Sequence, residues 1–398
     1  NCAAELFNKS GFDMRVKSDL GYAVLTTDGV GDGIGIFGHA DVVPVNDDWI
    51  KTSPFEPLEE NGILYGRGVD DNKAGVIASL YALKALKKCG VDIKSKITVF
   101  VGGSEETGMD DVGGFVENEK MPEINIIPDS DFPVSLGEKG IMHVDIKSKK
   151  AFEDITEFLG GAAYNVVLDN VNVSFKNGDT LNFKGLTSHA AWPEGSANAA
   201  YKAANELINL DISENDKAIL RSFAHFIEGY YGENLGIASE GAFSKLTCVN
   251  GIVKLEEGKL YFTLDIRYGN EVDSKKTIES IKQTVQKSGF EVISYTDESG
   301  FLLDENGEAT KIIINSCREV SGILDAEPYK TFGGTYARKL KNAYAIRHSL
   351  PFDKRTLNLP FGHGGVHQSD EAQSVDALLG GIKVLAKIIM DLDEHLTK

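Results

Sequence analysis

The chain has 398 residues, 42% hydrophobic and 25% charged, the make-up of an ordinary globular protein whose length exceeds one core and predicts two domains. Asp and Glu total 60 against 41 Lys and Arg, a formal net charge of −19; that field repels nucleic acid and anionic membrane, so neither is an expected partner. No apolar run reaches the roughly 18 residues of a membrane span, and Cys2, Cys89, Cys248 and Cys317 are scattered without a C-x-x-C pair, as expected of reduced thiols in a cytoplasmic protein.

Taken in order, Tyr22–Leu25 reads as a strand, Asp28-Gly29 as a turn, and Ile34–Phe37 as a short buried strand. That strand runs into Gly38-His39-Ala40-Asp41-Val42-Val43-Pro44. Residues two apart on an extended segment point to one side, so His39 and Asp41 project together. Asp41 can then hold one imidazole nitrogen and fix the tautomer while the other nitrogen binds a metal. Residues 49–60, broken by Pro54 and Pro57, read as a loop. Tyr65 to Lys73 leads into a helix over about 74–88, with Val76, Ile77, Leu80, Leu83 and Leu86 at helical spacing and Gly90 as its stop. The strand Ile97–Val101 ends at Gly102-Gly103-Ser104-Glu105-Glu106, and after a further helix Ile124–Ile127 ends at Pro128-Asp129. This alternation predicts an α/β domain with a mixed sheet and flanking helices.

The texture changes near residue 141. Residues 246–254 and 259–267 alternate apolar and polar around Glu256-Glu257-Gly258, an antiparallel hairpin with one solvated face. Helices near 198–210 and 275–287 would cover the other face. The expected organisation is a discontinuous catalytic domain, residues 1–140 and 301–398, with an inserted α+β lid at 141–300. Helices at 311–322 and 375–392 return to the first domain. The chain opens at Asn1 without a signal-like segment, which carries little weight for targeting.

His39, Asp41, the Asp70-Asp71 pair, the Glu105-Glu106 pair and Asp129 follow predicted strands, and His367 precedes the last helix. Ligands of open α/β sheets gather at the carboxyl ends of strands. Carboxylates crowded there repel one another unless a cation neutralises them. Two divalent ions sharing a carboxylate would do so, lower the pKa of a bound water and polarise a carbonyl. His and carboxylate donors without thiolate suit Zn²⁺ and accept Mn²⁺ or Co²⁺. If Glu105-Glu106 is extended, the two side chains face opposite ways, and one can bind metal while its neighbour faces the water. Asp70 competes with Asp71 and Asp131 with Asp129, and His363 lies four residues before His367 across glycines.

These residues resemble the dinuclear zinc metallopeptidases that include peptidase V, carnosinase, carboxypeptidase G and succinyl-diaminopimelate desuccinylase. The matching motifs are His39-Ala40-Asp41-Val42-Val43-Pro44, Gly66-Arg67-Gly68 with Asp71 and Lys73, Glu105-Glu106, and Pro128-Asp129 with Gly137-Glu138-Lys139-Gly140. Further on come Ser188-His189-Ala190, Arg267-Tyr268, Gly333-Gly334-Thr335-Tyr336, and His367 with Asp370-Glu371. The Gly-Glu-Lys-Gly and Gly-Gly-Thr-Tyr elements bring the chain nearest the peptidase V-like dipeptidases. Ala74 departs from the glycine usual after the lysine, and the segment before His39 and the lid are shorter than in peptidase V.

The resemblance implies two Zn²⁺ per chain, one on His39 and Asp129, the other on Glu106 and His367. It places Asp71 between them, two residues before the lysine, and favours Asp129 over Asp131. Asp41 would orient His39. Glu105 would take a proton from the attacking water and deliver it to the leaving amine. His189 from the lid would stabilise the oxyanion, Arg267 would clamp the substrate's terminal carboxylate, and Asn165 would be a further lid contact. The implied activity is exopeptidase hydrolysis of a short peptide, a dipeptide above all, by a monomer rather than a dimer. The alternative is an acyl-amino-acid amidohydrolase of the same chemistry. A non-catalytic binding protein would lack the base or some ligands, and here every such position is filled.

Overall fold

The computed structural model describes residues 2–45 and 47–398. The chain forms two compact units, one of residues 1–137 with 303–398 and one of residues 138–302.

The first unit is built on a mixed sheet. Its strands lie in the order Arg15–Lys17, Tyr22–Thr26, Ser95–Gly102, Val30–His39, Ile124–Ile127, Ala343–Ile346, Val134–Glu138. The four from Ser95–Gly102 to Ala343–Ile346 are mutually parallel. The apolar runs at their centres are buried on both faces, as parallel strands flanked by helices must be. Alternation divides those faces: Ile34 and Ile36 pack in one core with Val76, Leu80 and Leu83 of helix Lys73–Lys88 and with Leu385, Ile388 and Ile389 of helix Val375–Leu396. Phe37 points the other way and meets Phe100 and, edge-on at 5.1 Å, Phe115 of helix Asp110–Asn118. Ser374 caps the last helix, its hydroxyl accepting from the Ala377 amide.

Two local readings change. The segment expected as loop over 49–60 ends in the strand Leu58–Glu60, paired antiparallel with Ile63–Tyr65. Asn61 and Gly62, both at positive φ, turn the chain between them, an Asn-Gly hairpin signal passed over beside the prolines. Glu105-Glu106 is not extended: Glu105–Thr107 is a 3₁₀ turn. At three residues per turn its neighbours still diverge, so the two carboxylates remain on different sides.

The second unit is α+β. Strands Thr247–Val249, Lys259–Tyr268, Gly140–Ala151 and Phe290–Glu298 pair antiparallel in that order, with Val253–Glu256 also on Lys259–Tyr268. Met142, Val144 and Ile146 alternate inward and pack with Phe262, Leu264 and Ile266 against Phe223 of helix Glu214–Phe226 and Ile281 and Val285 of helix Ser274–Lys287. No helix among the described residues is long and apolar enough to cross a membrane.

Candidate metal centre

The parallel strands deliver their carboxyl ends to one edge of the first unit. His39 closes its strand opposite Gly102, so Gly103–Glu106 emerges beside it. Asp129 follows Ile124–Ile127, and Arg347-His348 follows Ala343–Ile346.

His39 Nε2 lies 3.2 Å from Asp71 Oδ1 and 3.4 Å from Asp129 Oδ2. His367 Nε2 lies 2.9 Å from Asp71 Oδ2 and 3.2 Å from Glu106 Oε1. Each imidazole thus faces two carboxylates, and Asp71 offers one oxygen to each group. Donor atoms about 2.0–2.2 Å from a tetrahedral ion stand about 3.3–3.5 Å apart. The His39–Asp129 spacing matches that edge, the two 3.2 Å spacings lie just under it, and the His367–Asp71 spacing falls about 0.4 Å short. Donor atoms of His39, Asp71 and Glu106 all lie within 4.8 Å of one another.

The tautomer of His39 suits a ligand. Its Nδ1 faces only acceptors, Asp41 Oδ1 at 3.3 Å and the Asp41 carbonyl at 3.1 Å. It therefore keeps a proton, while Nε2, which faces Asp71 and Asp129, would present a lone pair once a bound cation displaced the proton it holds there. Burial would lower the proton affinity of His39, but hydrogen bonds with Asp129, Asp41 and Asp71 outweigh it and raise it. His367 is pushed up to about 10 by Asp71 and then Glu106. Burial, then the charge of Asp129, pushes the Glu105 carboxyl up to about 9. Burial also raises Asp129, whereas in Asp71 the contacts with His367 and His39 outweigh burial and lower it. Protons are thus held where positive charge is needed, and a divalent cation displaces them because metal-bound imidazole is neutral. The donor set fits such an ion.

Asp41 does more than orient His39. Its Oδ1 accepts from the Glu105 amide at 3.2 Å and its Oδ2 from the Glu106 amide at 3.0 Å, which fixes the 3₁₀ turn. Asp111 holds the preceding residues, accepting from the amides of Gly103 at 2.7 Å and Ser104 at 2.9 Å and from the Tyr336 hydroxyl at 2.6 Å.

Three supporting residues had no role assigned from the sequence, Glu371 standing only within the Asp370-Glu371 motif. Asn72 donates to Asp129 Oδ1 and to the Pro128 carbonyl, both at 2.7 Å, and its Oδ1 accepts from the His39 amide at 3.3 Å. The Asp71–Asn72 peptide is cis. Gly75 makes room for this bridge, since a Cβ there would stand 2.5 Å from the Pro128 carbonyl oxygen. The crowded position is therefore Gly75, and Ala74 is tolerated. Glu371, fully buried, accepts from the amides of Gly68, Asp70 and Asp71 at 2.8–2.9 Å and from Arg67 at 2.8 Å. His348 Nδ1 lies 3.2 Å from the Pro128 carbonyl. Only the Asp71 neighbourhood hinted at Asn72; the others lie some 300 or 220 residues from their partners.

The competing residues are placed elsewhere. Asp70 turns away from the cluster into contacts with Arg347, Lys354 and His348. Asp131 is 85% exposed. His363 Nδ1 pairs with Asp370 Oδ2 at 2.6 Å. His367 takes φ 62°, a left-handed conformation uncommon outside glycine and concentrated at functional sites.

Within the second unit, His189 Nδ1 accepts from the Ala191 amide at 3.1 Å and its ring lies beside Trp192, which leaves the proton on Nε2. The Asn165 carbonyl accepts from the Ala190 amide at 2.9 Å, next to His189. Arg267 is buried, its Nε 2.6 Å and a terminal nitrogen 2.8 Å from the Asp265 carboxylate. His143 lies 3.0 Å from the same carboxylate.

The sequence matches the family described as Peptidase family M20/M25/M40 over residues 35–391. A protein of Staphylococcus aureus (strain MRSA252), provisionally named a dipeptidase, is 27% identical over 354 residues, covering 79% of this chain and 75% of its own length. The fold is shared with an M20 family metallo-carboxypeptidase of Sulfolobus solfataricus, with TM-score 0.61 at 19% identity over 99% of this chain and 93% of that one. It is shared equally with the aminoacylhistidine dipeptidase of Vibrio alginolyticus, with TM-score 0.62 at 13% identity over 97% and 90%. With the match running from before His39 to beyond His367, this chain is a metallopeptidase belonging to peptidase family M20/M25/M40.

Proposed function

We propose that the chain is a dipeptidase working with two divalent ions, Zn²⁺ first and Mn²⁺ or Co²⁺ as substitutes. His39, Asp129 and Asp71 would hold one ion; His367, Glu106 and Asp71 would hold the other. The observation that carries this is the pair of histidine–carboxylate groups meeting on the two oxygens of Asp71. Bound there, divalent ions polarise a carbonyl and acidify water.

The chain's own groups supply the rest. Glu105 is buried, and among the described residues its carboxyl makes no ion pair or hydrogen bond. Burial raises its proton affinity, and with bound cations offsetting the neighbouring carboxylate charges it would suit a group that takes a proton from water and returns it to the leaving amine. His189, protonated on Nε2, would donate to the developing oxyanion. Arg267, oriented by Asp265, would bind the terminal carboxylate through its planar guanidinium. Likeness to the staphylococcal relative supports a dipeptide as substrate. The four free thiols support a reducing, cytoplasmic location, and light scattering tests the monomer.

The deciding experiment is metal analysis of protein purified without chelator, followed by hydrolysis of a dipeptide panel with added Zn²⁺ or Mn²⁺. Near two ions per chain and turnover of unmodified dipeptides are expected. Fewer than one ion after reconstitution removes the metal assignment. Cleavage of N-acyl amino acids alone replaces the dipeptidase with an amidohydrolase.

A further inference from the structure

The Asp71 and Asp129 carboxylates line a cavity of about 160 Å³, together with Asp70, Asp131, Arg347 and Val366. Those last four residues also line a second cavity of about 460 Å³, walled by Phe132, Pro351, Phe352 and Lys354. The larger space is of a size that takes small ligands, and it shares four lining residues with the small cavity beside the candidate metal centre.

Its floor is cationic. Arg347 directs one terminal nitrogen at both oxygens of Asp70, 2.6 and 2.8 Å away, and donates its Nε–H to Ser349 at 3.1 Å. Lys354 gives one hydrogen to Asp70 at 2.7 Å. Asp70, fully buried, also meets His348 at 2.9 Å and Gln373 at 3.1 Å, so its acceptor capacity is spent. Donors are left over. The second terminal nitrogen of Arg347 has no acceptor among the described residues closer than Asp131 at 3.9 Å, and Lys354 has two further N–H bonds. Arg347 and Lys354 keep 18% and 24% of their side chains exposed. Around Asp70 two cations face one saturated anion; Asp131 sits 85% exposed at the rim, where solvent screens it, and Asp71 and Asp129 on the side of the cluster would be offset by bound cations.

We propose that this cavity binds a carboxylate of the substrate through Arg347 and Lys354, and so selects peptides whose residue bearing the scissile carbonyl has an acidic side chain. The inference rests on the dipeptidase reading above. The side chain of that residue branches one bond from the carbonyl, which puts it beside the metal-binding cluster, where this cavity begins. An N-linked succinyl group offers the same carboxylate chemistry, and the test separates the two.

The test compares kcat/KM for Glu-Ala, its uncharged isostere Gln-Ala, Leu-Ala and N-succinyl-alanine on the metal-loaded protein. Glu-Ala should exceed Gln-Ala by about 10- to 100-fold, the range for charge-assisted hydrogen bonds. Lys354→Met should lower that ratio several-fold, Arg347 remaining, and Lys354→Arg should retain most of it. Because the ratio is taken within each variant, a general loss of activity leaves it readable. Equal turnover of Glu-Ala and Gln-Ala overturns the pocket and leaves the dipeptidase intact, as does an unchanged ratio in Lys354→Met. Cleavage of N-succinyl-alanine with none of the dipeptides overturns the dipeptidase and assigns the cavity to the acyl group. If nothing turns over, calorimetry of Glu-Ala against Gln-Ala reads the pocket directly, and equal binding overturns it.

Discussion

Replacing Asp41 by alanine isolates how the candidate centre is held together. One carboxylate meets three donors: the His39 Nδ1–H at 3.3 Å, the Glu105 amide at 3.2 Å and the Glu106 amide at 3.0 Å. Alanine removes both oxygens and with them these three contacts, without touching a residue proposed to bind metal; the backbone carbonyl of residue 41, 3.1 Å from His39 Nδ1, remains. Losing the carboxylate partner of a ligating histidine lowers metal affinity by about 10–100-fold, and the retained carbonyl places the expected loss at the lower end. The Glu105 amide is left without a partner at a buried residue, which costs on the order of 1–3 kcal/mol. Asp41→Asn should do less. With its oxygen at the Oδ1 site it still accepts from His39 and Glu105, and only the Glu106 amide then faces an N–H. Competition against a chromophoric chelator measures affinity, and urea unfolding of the metal-free protein measures stability. The expected order of affinity is parent, Asn, Ala. Wild-type affinity in Asp41→Ala, with kcat alone reduced, would show that Asp41 does not act through His39 and refute this account.

Four further outcomes are expected. Glu105→Ala should keep its metal and lose about 10²–10⁴-fold in kcat, whereas Glu106→Ala should lose metal at one position; a metal titration beside single-turnover hydrolysis reverses the roles if the pattern is inverted. Arg267→Ala should raise KM for free dipeptides far more than for C-terminally amidated ones, and equal effects on both would remove the clamp. His189→Ala should lower kcat with little change in metal content, and an unchanged kcat would remove the oxyanion role. Asp265 is held below the usual carboxylate range because contacts with His143 and Arg267 outweigh its burial. Its stabilisation is therefore present above the unfolded value near 3.9 and lost as pH falls through the folded one; the deficit of Asp265→Asn in urea midpoint should shrink below about pH 4, and a pH-independent deficit would show that the charge is not responsible.

Much of the site was legible because its signals are local. His39 and Asp41, Asp71 before Lys73, the Glu105-Glu106 pair and Asp129 each follow a short apolar run. Such runs, alternating with helical periodicity, deliver their ends to one edge of a parallel sheet. The Glu105-Glu106 turn was misread as extended because a three-residue 3₁₀ turn leaves no periodicity, yet the divergence of the two side chains survives in either geometry. Asn61-Gly62 was available as a hairpin signal and was outweighed by the neighbouring prolines.

The sequence by itself determined the chemistry of the donors, the α/β alternation that gathers them, and the change to antiparallel texture near residue 141. The resemblance favoured one of two neighbours of equal chemistry, and only the tertiary structure gives a physical reason for the difference. Asp70 and Asp71 are adjacent and identical in type. What separates them is Glu371, some 300 residues away, whose carboxylate grips both amides, and the Arg347–Lys354 pair that draws Asp70 aside. Asn72 gained its role in the same way, because only the packed sheet brings Pro128, Asp129 and the His39 amide within reach of one side chain. Hydrogen bonds and ion pairs act over about 3 Å of space whatever the separation along the chain, so the residues that arrange a site leave no pattern in sequence, while those that carry its chemistry do.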